Sequence, residues 1–120
     1  MQSFKDLIVW QKSHQLVLSV YSVTIDFPEY EMYTLISQIR RCAISIPSNI
    51  VEGFKRTGRS KFNFYNYSEA SLEELKYQIL LSYELKYLTE DKYNQIKNSC
   101  DEVGKILNTW IRVSKNNFHT

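Results

Sequence analysis

Glycine and proline are scarce in this 120-residue chain, with three of one and two of the other. A sheet protein needs a turn signal every ten residues or so, so this scarcity argues against sheets and favours a few long helices. Cysteine is nearly absent. Cys42 and Cys100 stand alone, without a CxxC pair, on segments expected to be different helices. They read as reduced core thiols of a cytoplasmic protein, with a disulfide as the weaker alternative. Histidine is equally rare. His14 and His119 belong to no Glu-x-x-His pair and no HExxH, which removes the usual di-iron and zinc arrangements. Neither stands beside a nucleophile motif of the Ser-His-Asp kind. His14 is expected near the core face of the first helix as a partly buried structural residue. GxxxxGK[ST] and GxGxxG are both missing, so no phosphate-cradling loop is recognisable. No enzyme activity, metal or cofactor is expected. No apolar window approaches the ~18 residues of a membrane span. The opening MQSFKDLIVWQKSHQ lacks a signal-peptide pattern, since its apolar run covers only Leu7 to Trp10.

The pattern that is present is helical. Residues 1–120 form one domain of ordinary size, and four amphipathic segments fill it. The first is expected over about 5–26, with Leu7, Trp10, Val17, Val20, Tyr21 and Thr24 on one face and Pro28 beyond its end. The second spans about 32–57 through Leu35, Ile39, Ala43, Ile46, Ile50 and Phe54. Pro47 falls inside it, removing one backbone hydrogen bond and crowding the carbonyl of Ala43. With Ser45 and Ser48 beside it, the expectation is a kinked but continuous helix. Thr57, Gly58 and Arg59 break the chain, and Ser60 is the expected N-cap of a third helix over about 60–87. Thr89 caps a fourth, about 89–114, whose core positions Tyr93, Ile96, Cys100, Val103, Leu107 and Trp110 alternate at three and four residues. The tail 115–120 is expected to fray. Helices of ~35 Å joined by short connections give an up-down-up-down antiparallel four-helix bundle with a Pro47 kink.

The third helix carries more apolar residues than one stripe needs, among them Phe62, Phe64, Tyr65, Tyr67, Tyr77, Leu80 and Leu85. A helix apolar on two sides meets two partners, and the second is expected to be another subunit of a homo-oligomer. Glu69, Glu73 and Glu74 on the same helix read as a solvated face, with Glu73 and Lys76 as an i,i+3 pair.

Charge is distributed unevenly. Ser37 to Lys61 holds Arg40, Arg41, Lys55, Arg56, Arg59 and Lys61 against the single acid Glu52, a net +5. The remaining nine basic and twelve acidic residues give −3. Such a segment suggests an anionic partner, nucleic acid first. The six cations are the candidate binding residues, reading phosphate charge without reading sequence. Phe62, Phe64 and Tyr65 nearby are candidates for stacking on unpaired bases. A solvated basic surface is the competing reading of the same charges.

The stretch SQIRRCAISIPSNIVEGFKR resembles the signature of the four-helix-bundle proteins encoded by intervening sequences of bacterial 23S rRNA genes, roughly S-Q-I-R-R-A-A-x-S-I-P-x-N-I-x-E-G. Ser37 to Arg41, Ala43, Ser45 to Pro47, Asn49, Ile50, Glu52 and Gly53 match it, with Cys42 where alanine is usual. FKDLIVWQKSHQLVLSVY resembles the family's first helix and SEASLEELKYQILLSYELKYL its third. The resemblance implies a bundle assembled as a ring of five. A related branch, the accessory variability determinant of diversity-generating retroelements, binds nucleic acid and a reverse transcriptase. No catalytic residue is carried over. Gln38, Asn49 and Glu52 are read as structural, and Gly53 as a point of close helix approach. The leading expectation is an oligomeric accessory protein that binds structured RNA or DNA. The alternative is a protein-interaction scaffold without direct nucleic-acid binding.

Overall fold

Apolar residues at helical spacing fold the chain into α1 (Ile8–Thr24), α2 (Leu35–Lys55), α3 (Lys61–Glu84) and α4 (Glu90–Asn116). These bounds come from a computed structural model that describes residues 3–118. Single 3-10 turns at Phe4–Asp6 and Glu29–Glu31 precede α1 and α2. Each helix packs chiefly on its two neighbours, and α4 closes the bundle against α1.

Cross-helix contacts give the direction of every pair. Ile46 and Cys42 of α2 meet Ser68 and Ser71 of α3. Tyr65 and Tyr83 of α3 stack on Trp110 and Tyr93 of α4. Lys12 of α1 pairs with Glu102 of α4, and Arg40 of α2 reaches Thr24 of α1. All four pairs run antiparallel, as the short connections require. The molecule measures 49 × 25 × 22 Å.

The core is aliphatic. Val20, Ile39, Ala43, Ile46, Ile50, Leu75 and Leu107 are fully buried. The α4 seam is as expected from Ile96 to Leu107, with Tyr93 and Trp110 half-buried at its ends and Ile111 added. Along α1 and its N-cap, Leu7, Val17, Val20 and Thr24 are buried as expected and Val9, Ser13 and Leu16 join them, while Trp10 is half-buried and Tyr21 lies exposed on the rim. The buried hydroxyls of Ser13, Thr24 and Ser82 each donate to the carbonyl four residues earlier, so these three are satisfied, whereas the buried Gln78 Oε1 has no partner among the described residues.

The α2–α3 interface is lined with small residues. Ser68 donates to the Ile46 carbonyl at 2.8 Å, the Ser45 and Ser71 hydroxyls meet at 2.8 Å, and the Cys42 thiol donates to the Ser71 carbonyl. Gly53 completes the series. A Cβ there would lie 2.7 Å from Tyr65 Cδ1 and 2.9 Å from the Lys61 carbonyl oxygen. α2 runs uninterrupted through Pro47, whereas the kink expected with it is not confirmed. Asn49 donates its amide to the Ser45 carbonyl at 2.8 Å and to the Ser45 hydroxyl at 2.9 Å, a structural use of this polar residue.

Several boundaries differ from the sequence expectation. α1 begins three residues late, because Ser3 caps a separate turn by accepting from the Lys5 amide and Leu7 is extended. Thr34 is non-helical and its hydroxyl donates to the Glu31 carboxylate, so α2 starts at Leu35. Ser60 precedes α3 but already has helical angles and makes no capping bond. α3 stops at Glu84. Lys86 takes φ 68°, with its amide on the Tyr83 carbonyl and the Tyr87 amide on that of Ser82. This is the Schellman pattern with lysine where glycine is usual. Thr89 caps α4 through the Lys92 amide as expected. α4 then runs to Asn116, two residues beyond the expected end, and Phe118 packs on Phe62 instead of fraying. His119 lies outside the described residues.

Candidate nucleic-acid interface

The antiparallel order brings the start of α1, the α2–α3 turn and the end of α4 to one end of the bundle. Residues 3–6, 52–61 and 112–118 carry seven basic and two acidic side chains, a net +5. The opposite end, residues 25–34 and 84–92, carries six acidic and two basic side chains, a net −4. The bundle is therefore electrically polar along its long axis, and an anion approaching from solution is steered to the first end.

Lys55, Arg56 and Arg59 are exposed there and Lys61 is half-buried. The turn is set by Gly58 at φ 81°, a left-handed conformation that glycine adopts without strain. Aromatic rings hold the cations in place. The Arg56 guanidinium sits 4.6 Å above the Phe64 ring and pairs with Glu52 at 3.5 Å. Arg59 lies 5.5 Å from the ring centre of Phe118, and Lys115 of α4 lies 5.8 Å from that of Phe62. Guanidinium groups stacked on rings keep their in-plane donors available for phosphate oxygens.

The six cations of the sequence reading do not form one surface. Arg40 and Arg41 stand fourteen to sixteen residues before Lys55 and Arg56, about 21 Å along the helix axis. Arg40 is half-buried: its Nε donates to the Thr24 hydroxyl at 2.9 Å and its guanidinium lies 4.6 Å from the Tyr21 ring centre. It fastens α2 to the end of α1. Arg41 is exposed on the α1–α2 face, lining a groove of about 400 Å³ with Tyr21, Met32, Tyr33 and Ile44.

Two of the three rings expected to stack on bases are core residues. Phe62 is 6% exposed and Tyr65 is 2% exposed, and burial pushes the Tyr65 phenol up to about 12. Phe64 is half-buried beneath Arg56. Tyr67, one turn further along α3, is 55% exposed and meets Phe64 edge-on, with ring centres 5.8 Å apart. Sequence spacing gave no signal for Lys115, Arg112 or Lys5 at this site. The expected topology does, because an antiparallel fourth helix must end beside the α2–α3 turn.

Other sequence candidates are resolved by their surroundings. His14 is exposed and stacks flat on Trp10 at 4.9 Å, so it is not the partly buried residue expected. Cys42 and Cys100 are free and buried. Glu73 pairs with Lys76 at 3.2 Å, and Lys76 also reaches Asp101 at 3.7 Å. These groups line a groove of about 770 Å³ between α3 and α4 that also includes Glu69 and Gly104. Its carboxylates make it unsuited to phosphate, and it lies along the side of the bundle away from the cationic turn. Among the described residues no group of three or more His, Cys, Asp or Glu is placed to hold a metal ion. Among the same residues no helix is long and apolar enough to cross a membrane.

The family model described as 23S rRNA-intervening sequence protein matches residues 5–109. Among solved structures, the chain is similar to a protein of unknown function from the S23 ribosomal protein family of Bacteroides thetaiotaomicron VPI-5482. The TM-score is 0.79 at 26% identity, covering 88% of this chain and 96% of that one. No curated protein matches at a significant level.

Proposed function

The chain belongs to the 23S rRNA-intervening sequence protein family, and on that footing we propose that it is a non-enzymatic accessory protein that binds RNA or DNA through the cationic end of its bundle. The observation that carries this reading is the convergence of Lys55, Arg56, Arg59 and Lys61 with Lys115 of α4 at the pole opposite the acidic end. Five cations on a rigid end contact phosphates without reading bases. The log–log salt slope on a duplex is then at most about −4.5 per chain. The two buried free thiols fit a cytoplasmic site of action.

The test is fluorescence anisotropy with labelled RNA and DNA at two salt concentrations. Wild type is compared with a Lys55→Gln/Arg59→Gln/Lys61→Gln/Lys115→Gln variant. Salt-sensitive binding that disappears in the variant supports the reading. Binding that persists undiminished in the variant, or that ignores salt, refutes it.

A second reading rests on a different surface. Tyr33 and Ile44 are exposed beside Arg41 on the α1–α2 side, while Tyr77 and Leu80 are exposed among Glu73, Lys76, Lys97 and Asp101 on the α3–α4 side. Exposed apolar residues on two opposite sides of the bundle suit a head-to-tail contact between copies, which closes into a ring. A homo-oligomer, a pentamer by family resemblance, follows from this reading. It extends to a scaffold that docks another polypeptide. Light scattering of wild type and of Arg41→Glu decides it: a monomeric wild type removes the ring.

A further inference from the structure

Resting on the phosphate-binding reading, we infer that the same end discriminates nucleic-acid form: Tyr67, Phe64 and Arg56 make a platform for an unpaired base, so the ligand is single-stranded or bulged in preference to continuous duplex. Tyr67 projects into solvent at 55% exposure although its own helix has a core face to fill. Its ring meets that of Phe64 in a T-shaped pair, with centres 5.8 Å apart and planes at 82°, and the Arg56 guanidinium lies 4.6 Å from the Phe64 ring centre. Arg56 in turn is held by Glu52. The result is a contiguous ring–ring–guanidinium surface whose members brace one another. Its outer member is open to a flat π-face.

The surroundings suit a nucleotide better than an apolar side chain. Lys55 and Arg59 flank Arg56 and are exposed, giving places for the phosphates on either side of a stacked base. Asn63 lies one turn before Tyr67 on the same side of α3 and is exposed, as is Asn66. Side-chain amides offer donors and acceptors to base edges once a base leaves its duplex partner. In a duplex the π-faces are consumed by stacking, so only the phosphate part of this surface is used. A splayed base uses both.

The experiment compares three labelled probes, a 20-nucleotide oligouridine, a hairpin with a single-base bulge, and a perfect 20-base-pair RNA duplex. Wild type, Tyr67→Ala and Tyr67→Phe are titrated with each at constant salt, with circular dichroism confirming the fold. The expected result is that Tyr67→Ala weakens the oligouridine and bulged probes roughly 10-fold and leaves the duplex within twofold. Tyr67→Phe restores the wild-type values, because the ring and not the hydroxyl does the stacking. If Tyr67→Ala weakens all three probes alike or none of them, the platform is overturned while phosphate binding stands. If wild type binds none of the probes, the platform and the reading beneath it both fall, and a protein becomes the ligand to seek.

Discussion

Gly53→Ala tests the packing that fixes the cationic turn. The added Cβ would sit 2.7 Å from Tyr65 Cδ1 and 2.9 Å from the Lys61 carbonyl oxygen. Neither neighbour yields cheaply. Tyr65 is 2% exposed and wedged against Trp110 at 4.3 Å, and the carbonyl belongs to the first residue of α3. Overpacking of this kind costs about 1–3 kcal/mol, and the better helix propensity of alanine returns about 0.5–1 kcal/mol. The net expectation is a loss of about 1–2 kcal/mol. An unfolding entropy of about 2.1 cal/mol/K per residue converts that to a melting point lower by about 4–8 °C. Gly104→Ala is the matched control, also inside a helix. Its Cβ would meet Leu72 Cδ2 at 3.3 Å and Lys76 Nζ at 3.8 Å, a milder contact with no backbone atom in it, so stability stays within about 1 kcal/mol of wild type. Urea unfolding followed by circular dichroism gives both numbers, and the fluorescence of Trp110 reports whether Tyr65 has shifted. A Gly53→Ala protein as stable as Gly104→Ala would refute the close-approach argument.

Lys86 holds a left-handed conformation at the end of α3, so Lys86→Gly is expected to raise stability by about 0.5–1 kcal/mol; a decrease in the urea midpoint would contradict the cap. Arg40→Met removes the bond to Thr24 and the contact with Tyr21, and should cost about 1–2 kcal/mol of stability. The same variant should bind nucleic acid within twofold of wild type; a large loss of affinity without loss of stability would return Arg40 to the binding surface. Burial pushes the Cys42 and Cys100 thiols from the ordinary 9.0 up to about 12, with Glu74 adding to the effect on Cys42. Because the unfolded chain loses these protons first, the stability they confer is complete below about pH 9 and drains away between about pH 9 and 12. Urea midpoints across that window should fall faster for wild type than for Cys42→Ala/Cys100→Ala, and parallel curves would refute the assignment.

The fold was legible because helix periodicity and scarce turn residues are local signals, and the packing did not override them. The ends were less legible. Glycine and serine drew attention at Gly58 and Ser60, yet Ser60 caps nothing and the true cap at Lys86 uses a residue with no preference for its conformation. Four of the six first-helix positions expected in the core, Leu7, Val17, Val20 and Thr24, are buried, and Ser13 was missed because it is buried through a bond to its own helix, which hydropathy does not register. The tail looked frayed because only tertiary structure provides Phe118 with Phe62 to pack against.

The candidate site shows the same division more sharply. Six cations close in sequence suggested one patch, but a helix spreads residues along its axis, and about 21 Å separates Arg41 from Lys55. The Arg40–Arg41 pair and the turn cluster therefore belong to separate surfaces. What unites charges here is the end of the bundle at which they lie. Lys115 is remote from Arg59 in sequence and joins it because α4 runs antiparallel to α3. The same geometry that gathers cations at one pole gathers Asp26, Glu29, Glu31, Glu84, Glu90 and Asp91 at the other. On the proposed reading a polyanion meets the first pole, and the acidic pole at the other end of the 49 Å axis offers it no competing site. The α1–α2 and α3–α4 sides then remain open to neighbours. The proposed binding at the pole and the proposed association through the sides would use separate surfaces, so charge changes at Lys55, Arg59 and Lys61 should alter affinity without altering mass, and changes at Arg41 should do the reverse.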